Sequence, residues 1–215
     1  MKTIATPAAL DALAKLGITL ARAQVETLEC YAALSAEKNA RMNLTAAKSA
    51  RDIFERHLCD GLCACLALRG RLQNDAPAIA DAGAGAGFIG AALKTLLPQA
   101  QVYFIESVER KCAFLNWALL RAGFKDAHVL CARLDAHSAP PVLADFVFER
   151  AMGKITDAAP LCLSITRPGG RFVAYSRPGQ GGAVLPPALA GVVEEEIGYR
   201  LPHDPEPRSL IVFRK

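Results

Sequence analysis

Apolar residues recur at three- and four-residue spacing through the first third of the chain. In "ARAQVETLECYAALSAEKNA", Ala21, Val25, Leu28, Tyr31 or Ala32, and Leu34 or Ser35 fall on one helical face. A second long helix is predicted within "NLTAAKSARDIFERHLCDGLCACLALRG", starting near Ser49 and stopped by Gly70. The polar, partly basic "NARMNLTAAK" between them reads as a loop. From Pro77 the rhythm changes. Short apolar runs, "AIADAG", "QVYFIES", "HVLCA", "ADFVFER" and "GGRFVAYS", read as strands. Helical stretches over 87–97, 108–122 and 155–166 are interleaved with them. Such alternation predicts right-handed βαβ units and a parallel sheet with helices on both faces. The last two runs, "AGVVEEEIGYR" and "RSLIVFRK", have no convincing helix between them, which predicts an antiparallel pair at the sheet edge. The expected organisation is a helical extension over 1–72 followed by an α/β domain over 73–215.

Composition narrows this picture only a little. With 215 residues, 52% hydrophobic and 21% charged, the chain has the make-up of a folded domain with an added segment. A net charge of +4 and a pI of about 8.7 are compatible with a nucleic-acid partner without requiring one. No apolar run approaches the ~18 residues that span a bilayer. The opening "MKTIATPAALDALAKLG" lacks the apolar core and cleavage site of a signal peptide. Seven cysteines without framework spacing suit reduced thiols in a cytoplasmic protein. Cys59, Cys63 and Cys65 lack zinc spacing, and small apolar packing explains them better.

Candidate chemistry starts at "IADAGAGAGFIG", residues 79–90. The stretch follows a strand and opens a helix, where ligands bind in open α/β sheets. Gly85, Gly87 and Gly90 satisfy the dinucleotide fingerprint, whereas Asp81, Gly83, Gly85 and Gly87 resemble the loop of an S-adenosylmethionine (SAM) methyltransferase. Glu106, about 20 residues on, can accept two ribose hydroxyls of either ligand, so it does not discriminate. Three features favour SAM. Asp81 suits the ammonium of a methionine moiety and would repel a pyrophosphate, although it can also serve as a cap on the loop amides. "ADFVFERA" and "RPGGRFVAY" resemble later class I methyltransferase motifs. The antiparallel final pair matches the reversed strand of that fold. The fold class is therefore α/β, a Rossmann-like class I SAM-dependent methyltransferase. Its mostly parallel seven-stranded sheet carries an antiparallel terminal strand.

Several further segments resemble one family, the bacterial small-subunit (16S) ribosomal RNA guanine-N7 methyltransferases, or glucose-inhibited division protein B family. They are Met42-Asn43-Leu44-Thr45, Arg56-His57-Leu58-Cys59-Asp60-Gly61, the loop from Asp81 to Gly90 with Phe88 in its hydrophobic slot, Glu106 with Arg110-Lys111 and Phe114-Leu115, and Glu149-Arg150-Ala151. The likeness runs from about residue 25 to the end. It departs at Leu134-Asp135, where the family has Val-Glu beside the adenine, and at Ser176-Arg177-Pro178-Gly179 and Pro207-Arg208-Ser209-Leu210. The resemblance implies SAM as cofactor, held by Asp81, Gly83, Gly85, Gly87, Phe88, Glu106, Leu134, Asp135 and Arg150. It implies ribosomal RNA or the small ribosomal subunit as partner, with neither membrane nor metal, and a monomeric enzyme.

Guanine N7 presents a lone pair and needs no deprotonation before it attacks a methyl group. Alignment is then the main catalytic factor, and a dedicated general base is not required. The chain fits this, with no Asn-Pro-Pro-Tyr-like motif after the fourth strand and no cysteine in "FERAMG" for covalent attack. Arg150 is the best candidate for a functional side chain at the mouth, through its planar fork, unless it merely pairs with Glu149 or another neighbour. Arg56 and His57 either meet RNA or, in the case of His57, pack the helix. Lys38, Arg41, Lys48, Arg51 and Arg56 form a basic cluster that contacts phosphates or is simply solvated. Lys111, Arg177, Arg208 and Arg214 extend it if the fold brings them together.

Overall fold

A computed structural model describes residues 3–135, 139–179, 185–201, 204 and 206–215. The helical first third begins with α1 (Pro7–Lys15), capped by the Thr6 hydroxyl, which accepts the Ala9 N–H. Helix α2 (Arg22–Met42) starts where the Gln24 side chain reaches back to the Ala21 N–H at 2.8 Å. It ends at Asn43, which adopts a left-handed conformation with φ 51°. The face predicted from spacing is the buried one. Leu28, Tyr31, Ala32 and Ser35 all point inward.

The second predicted helix exists, but its register is broken. Ser49 caps α3 (Ala50–Ile53) by accepting the Asp52 N–H. One π-helical turn follows over Phe54–Leu58, then α4 (Cys59–Cys63), then a 3₁₀ turn over Ala64–Leu68. Single π turns inside helices often mark functional positions, and this one carries Arg56 and His57. Helix α4 can approach the next helix only because residue 61 is glycine. A Cβ there would stand 2.6 Å from the Phe88 carbonyl oxygen.

The α/β part alternates as predicted. It contains β1 (Ala78–Ala82), α5 (Phe88–Leu96), β2 (Gln101–Glu106), α6 (Glu109–Arg121), β3 (Ala127–Cys131), β4 (Ala144–Glu149), α7 (Ile155–Ser164) and β5 (Thr166–Ser176). A four-residue helix, α8 (Pro187–Ala190), precedes β6 (Val193–Tyr199) and β7 (Arg208–Arg214). The sheet order is β3-β2-β1-β4-β5-β7-β6. Strands β1 to β5 pair in parallel, while β7 runs antiparallel to both β5 and β6. The antiparallel pair therefore sits at one edge, with the reversed strand second from it.

Residues from both parts share one hydrophobic core, which includes Leu28, Tyr31, Phe54 and Leu62 along with Phe104, Leu115 and Phe148. Burial of this extent is the dominant stabilising contribution. A second cluster packs α7 against the other sheet face through Val147, Ala159, Cys162 and Phe172. Cys59 and Cys63 are buried, and the Cys59 thiol is pushed up to about 12. Among the described residues, no group of three metal-binding side chains comes together and no helix is long and apolar enough to cross a membrane.

Candidate active site

The glycine loop, Asp81, Glu106 and Arg150 lie at or beyond the carboxyl ends of the parallel strands, where open α/β sheets bind ligands. The β1 half carries the glycine loop. Gly83, Gly85 and Gly87 all have positive φ, at 64°, 58° and 71°, a region that costs other residues strain. Hydrogen bonds from outside the loop anchor it. The Ala84 N–H donates to the Ile105 carbonyl at the end of β2, and the Tyr31 hydroxyl from α2 donates to the Ala86 carbonyl at 2.8 Å. The N-terminal helices thus support the loop directly. Gly90 packs α5 on β2, since a Cβ there would lie 2.3 Å from Phe104.

Asp81 is 2% exposed, and one of its carboxylate oxygens accepts the Gly90 N–H at 2.8 Å. Burial raises its carboxyl to about 7, against the downward pull of that hydrogen bond and of Arg150. A buried carboxylate held this way is underprovided with positive charge. Glu106 is also buried, and its two oxygens accept the Gly85 and Val108 N–H groups, each at 2.9 Å. Each of these oxygens has a further lone pair. The glycine cradle, a buried acid short of a cation and a strand-end acid with spare acceptors fit the methionine, ammonium and ribose of SAM. Leu134 and Asp135 lie in the loop after β3, whose last residue, Cys131, is the register partner of Glu106. Leu134 is half-buried and Asp135 exposed. Phe88 opens α5, but its ring is committed to the protein. It stacks on His57 at 4.9 Å and meets Tyr31 edge-on.

Replacing Glu106 with Gln swaps one acceptor oxygen for a donor facing Gly85 or Val108. SAM should bind about ten- to a hundredfold more weakly, the equivalent of roughly 1.4–2.8 kcal/mol. Isothermal titration of SAM checks this, and an unchanged affinity would show that Glu106 only shapes the loop.

The other half of the edge, from β4 to β6, carries a cleft of about 560 Å³ lined by Asp60, Arg150, Tyr175, Arg177, Tyr199 and Arg208, among others. A hollow of about 460 Å³ adjoins it, sharing Arg150 and Arg208 and adding Arg56 and His57. Arg150 does not pair with Glu149. Its Nη1 donates to the Asp60 carboxylate at 2.7 Å, and its guanidinium lies 5.8 Å from the centre of the Tyr175 ring. Glu149 instead accepts the Met152 N–H, and Ala151 between them is held at φ 70°. For alanine that conformation is strained, and such strain clusters at functional sites. His57 serves both alternatives raised by the sequence, since it packs on Phe88 and also lines the hollow. Burial first, and Arg150 second, lower it to about 4, so it is neutral at pH 7.

The predicted basic patch is only partly assembled. Arg56, Arg177 and Arg208 share the cleft and hollow with Arg150. Lys111 stands 3.9 Å from Glu106, on the β2 side. Lys38 turns to Glu37 and the Trp117 ring. Arg214 lies at the opposite end of β7, in register with Arg171 of β5. Sequence reasoning assigned no role to Asp60, Tyr175 or Tyr199. The signal for Asp60 was its place in the Arg-His-x-x-Asp motif. The tyrosines gave none beyond their position at strand ends.

Residues 24–179 match the model of the GidB family, described as rRNA small subunit methyltransferase G. The chain belongs to this family. It is 33% identical over 209 residues to "Ribosomal RNA small subunit methyltransferase G" of Pelotomaculum thermopropionicum, covering 94% of this chain and 86% of that one. To the protein of the same name in Limosilactobacillus reuteri it is 30% identical over 215 residues, covering 95% and 88%. The fold is similar to a class I S-adenosylmethionine-dependent methyltransferase of Listeria monocytogenes, with TM-score 0.58, 12% identity and coverage of 73% of this chain and 59% of that one. It also resembles TrmN of Thermus thermophilus, with TM-score 0.51, 21% identity and coverage of 72% and 49%. As a GidB-family methyltransferase, the chain uses SAM.

Proposed function

We propose that this chain methylates N7 of a guanine in 16S ribosomal RNA, taking the methyl group from SAM, in the cytoplasm where small subunits are made. The observation that carries the reading is the continuity of the edge. A cofactor half built on Asp81 and Glu106 meets a cationic cleft at Arg150, in a chain of this family. SAM, when bound, supplies a methyl group on a sulfonium. Asp81 holds the ammonium of its methionine moiety, the backbone at Gly83, Gly85 and Gly87 lets the ligand approach closely, and Glu106 accepts the ribose hydroxyls. Leu134 and Asp135 flank the adenine.

On the substrate side, Arg150 orients the guanine through its planar fork. Arg56, Arg177 and Arg208 take phosphates, and His57 offers a neutral, partly stacked contact. Lys111 belongs to the cofactor side in this reading. No residue has to accept a proton, because the N7 lone pair is already free. The chain's contribution is alignment, for which effective molarities of ~10⁵–10⁸ M indicate the scale available.

The test is transfer of label from SAM. Small subunits lacking the modification, or their RNA, should become labelled, and the affinity should fall with added salt as phosphate contacts require. Label confined to protein or small molecules would overturn the reading.

A further inference from the structure

Asp60 is fully buried, yet four polar groups converge on it from the ends of four different strands. Arg150 donates to its Oδ2 at 2.7 Å, and the Arg208 Nη1 forms an ion pair with the same oxygen at 2.9 Å. The Tyr199 hydroxyl donates to Oδ1 at 2.6 Å. The Tyr175 hydroxyl donates to its backbone carbonyl at 3.1 Å. Asp60 comes from α4, immediately after the π turn, whereas its partners come from the ends of β4, β5 and β6 and the start of β7. One carboxylate oxygen therefore fixes two guanidinium groups side by side at the floor of the cleft.

Long arginine side chains lose considerable freedom when held in one geometry. Here that loss is met in the folded protein, before any substrate arrives. Both side chains line the cleft and are partly exposed, at 24% and 31%; the Arg150 fork is held through Nη1 alone, whereas Arg208 is held by Asp60 through Nη1 and by Asp204 through Nε and Nη2. We propose that Asp60 is a positioning residue for methyl transfer. It acts through Arg150 and Arg208, presenting their forks together to the anionic backbone and guanine edge of the RNA. The inference rests on the proposed substrate.

A second acid gives the contrast that makes the idea testable. Asp204 also binds Arg208, through Nε and Nη2, but from the solvent side, and it lines the same cleft. It occupies donors of Arg208 that a phosphate would use. Simple electrostatics treats the two acids alike, since removing either makes the cleft more positive and favours RNA. Positioning predicts opposite signs.

Steady-state kinetics with small subunits, or their RNA, decides between them. Asp60→Asn should raise KM for RNA and lower kcat, together about tenfold or more in kcat/KM, because misaligned groups lose their effective molarity. Asp204→Asn should lower KM for RNA. In a background carrying Arg150→Ala and Arg208→Ala, adding Asp60→Asn should change little, since interacting residues are non-additive. Tyr199→Phe removes only the Oδ1 hydrogen bond and should show the same direction of effect, more weakly, should Asp60→Asn fail to fold.

Unchanged or lowered KM in Asp60→Asn, or in Tyr199→Phe where that stands in for it, would overturn the inference. So would an Asp60→Asn effect undiminished in the arginine-free background, which would mean Asp60 acts through the fold. A wild-type enzyme that methylates no RNA would overturn the substrate reading first and this inference with it. Normal wild-type methylation with a neutral or improved variant would overturn this inference alone.

Discussion

Asp81→Asn is expected to lose SAM while gaining thermal stability above neutral pH. The folded carboxyl titrates near 7 and the ordinary value is 3.8, with burial as the main cause. The folded protein therefore binds this proton more tightly than the unfolded one between about pH 4 and pH 7. Its stability falls as pH rises through that window. At pH 8 the ionised carboxylate costs the free enzyme at most on the order of 4 kcal/mol, three units at about 1.36 kcal/mol each. Asparagine keeps an acceptor for the Gly90 N–H and removes the charge. Melting temperature at pH 8 should rise by several degrees, at about 2–4 °C per kcal/mol for a chain of this size. The gain should vanish near pH 4. SAM affinity should drop about a hundredfold or more, because the ligand's ammonium loses a desolvated partner. Wild-type binding should likewise weaken as pH falls below 7. Unchanged SAM affinity in Asp81→Asn would mean that Asp81 serves only to cap α5.

Arg150→Ala is expected to slow methyl transfer about a hundredfold at saturating SAM and RNA, the scale at which misplacement of reacting groups is felt. The fold should survive this change. Asp60 keeps Arg208 and Tyr199, so no buried carboxylate is left without a partner. Lysine should not restore the rate, since a point charge cannot hold Asp60 and offer a planar fork at the same time. Single-turnover kinetics measures the step. A loss confined to KM would assign Arg150 to RNA binding alone.

The order of strands was legible because buried parallel strands read as short continuous apolar runs, as in "ADFVFER" and "GGRFVAYS". Asp81 and Glu106 were legible for the same reason, since an acid that ends such a run must sit at the sheet edge. The π turn at Phe54–Leu58 was not, because the same residues satisfy an ordinary helical spacing. Asp60 could be read as a motif letter but not as a hub. Its partners Arg150 and Tyr199 lie 90 and 139 residues away, and only the assembled sheet joins them. The basic patch failed in part for a related reason. Charges close in sequence were distributed over different faces, so Lys38 covers Trp117 while Arg56 faces the hollow. Phe88 was legible as a motif letter at the start of α5, but not its ring contacts with His57 and Tyr31.

The most direct test of the central claim is the identity of the product. Small-subunit RNA lacking the modification should be incubated with the enzyme and SAM, digested to nucleosides and resolved by mass spectrometry and chromatography. The account predicts 7-methylguanosine at one site, lost in Asp81→Asn and greatly reduced in Arg150→Ala. A different methylated nucleoside, or no methylated nucleoside from active, SAM-binding enzyme, would contradict it.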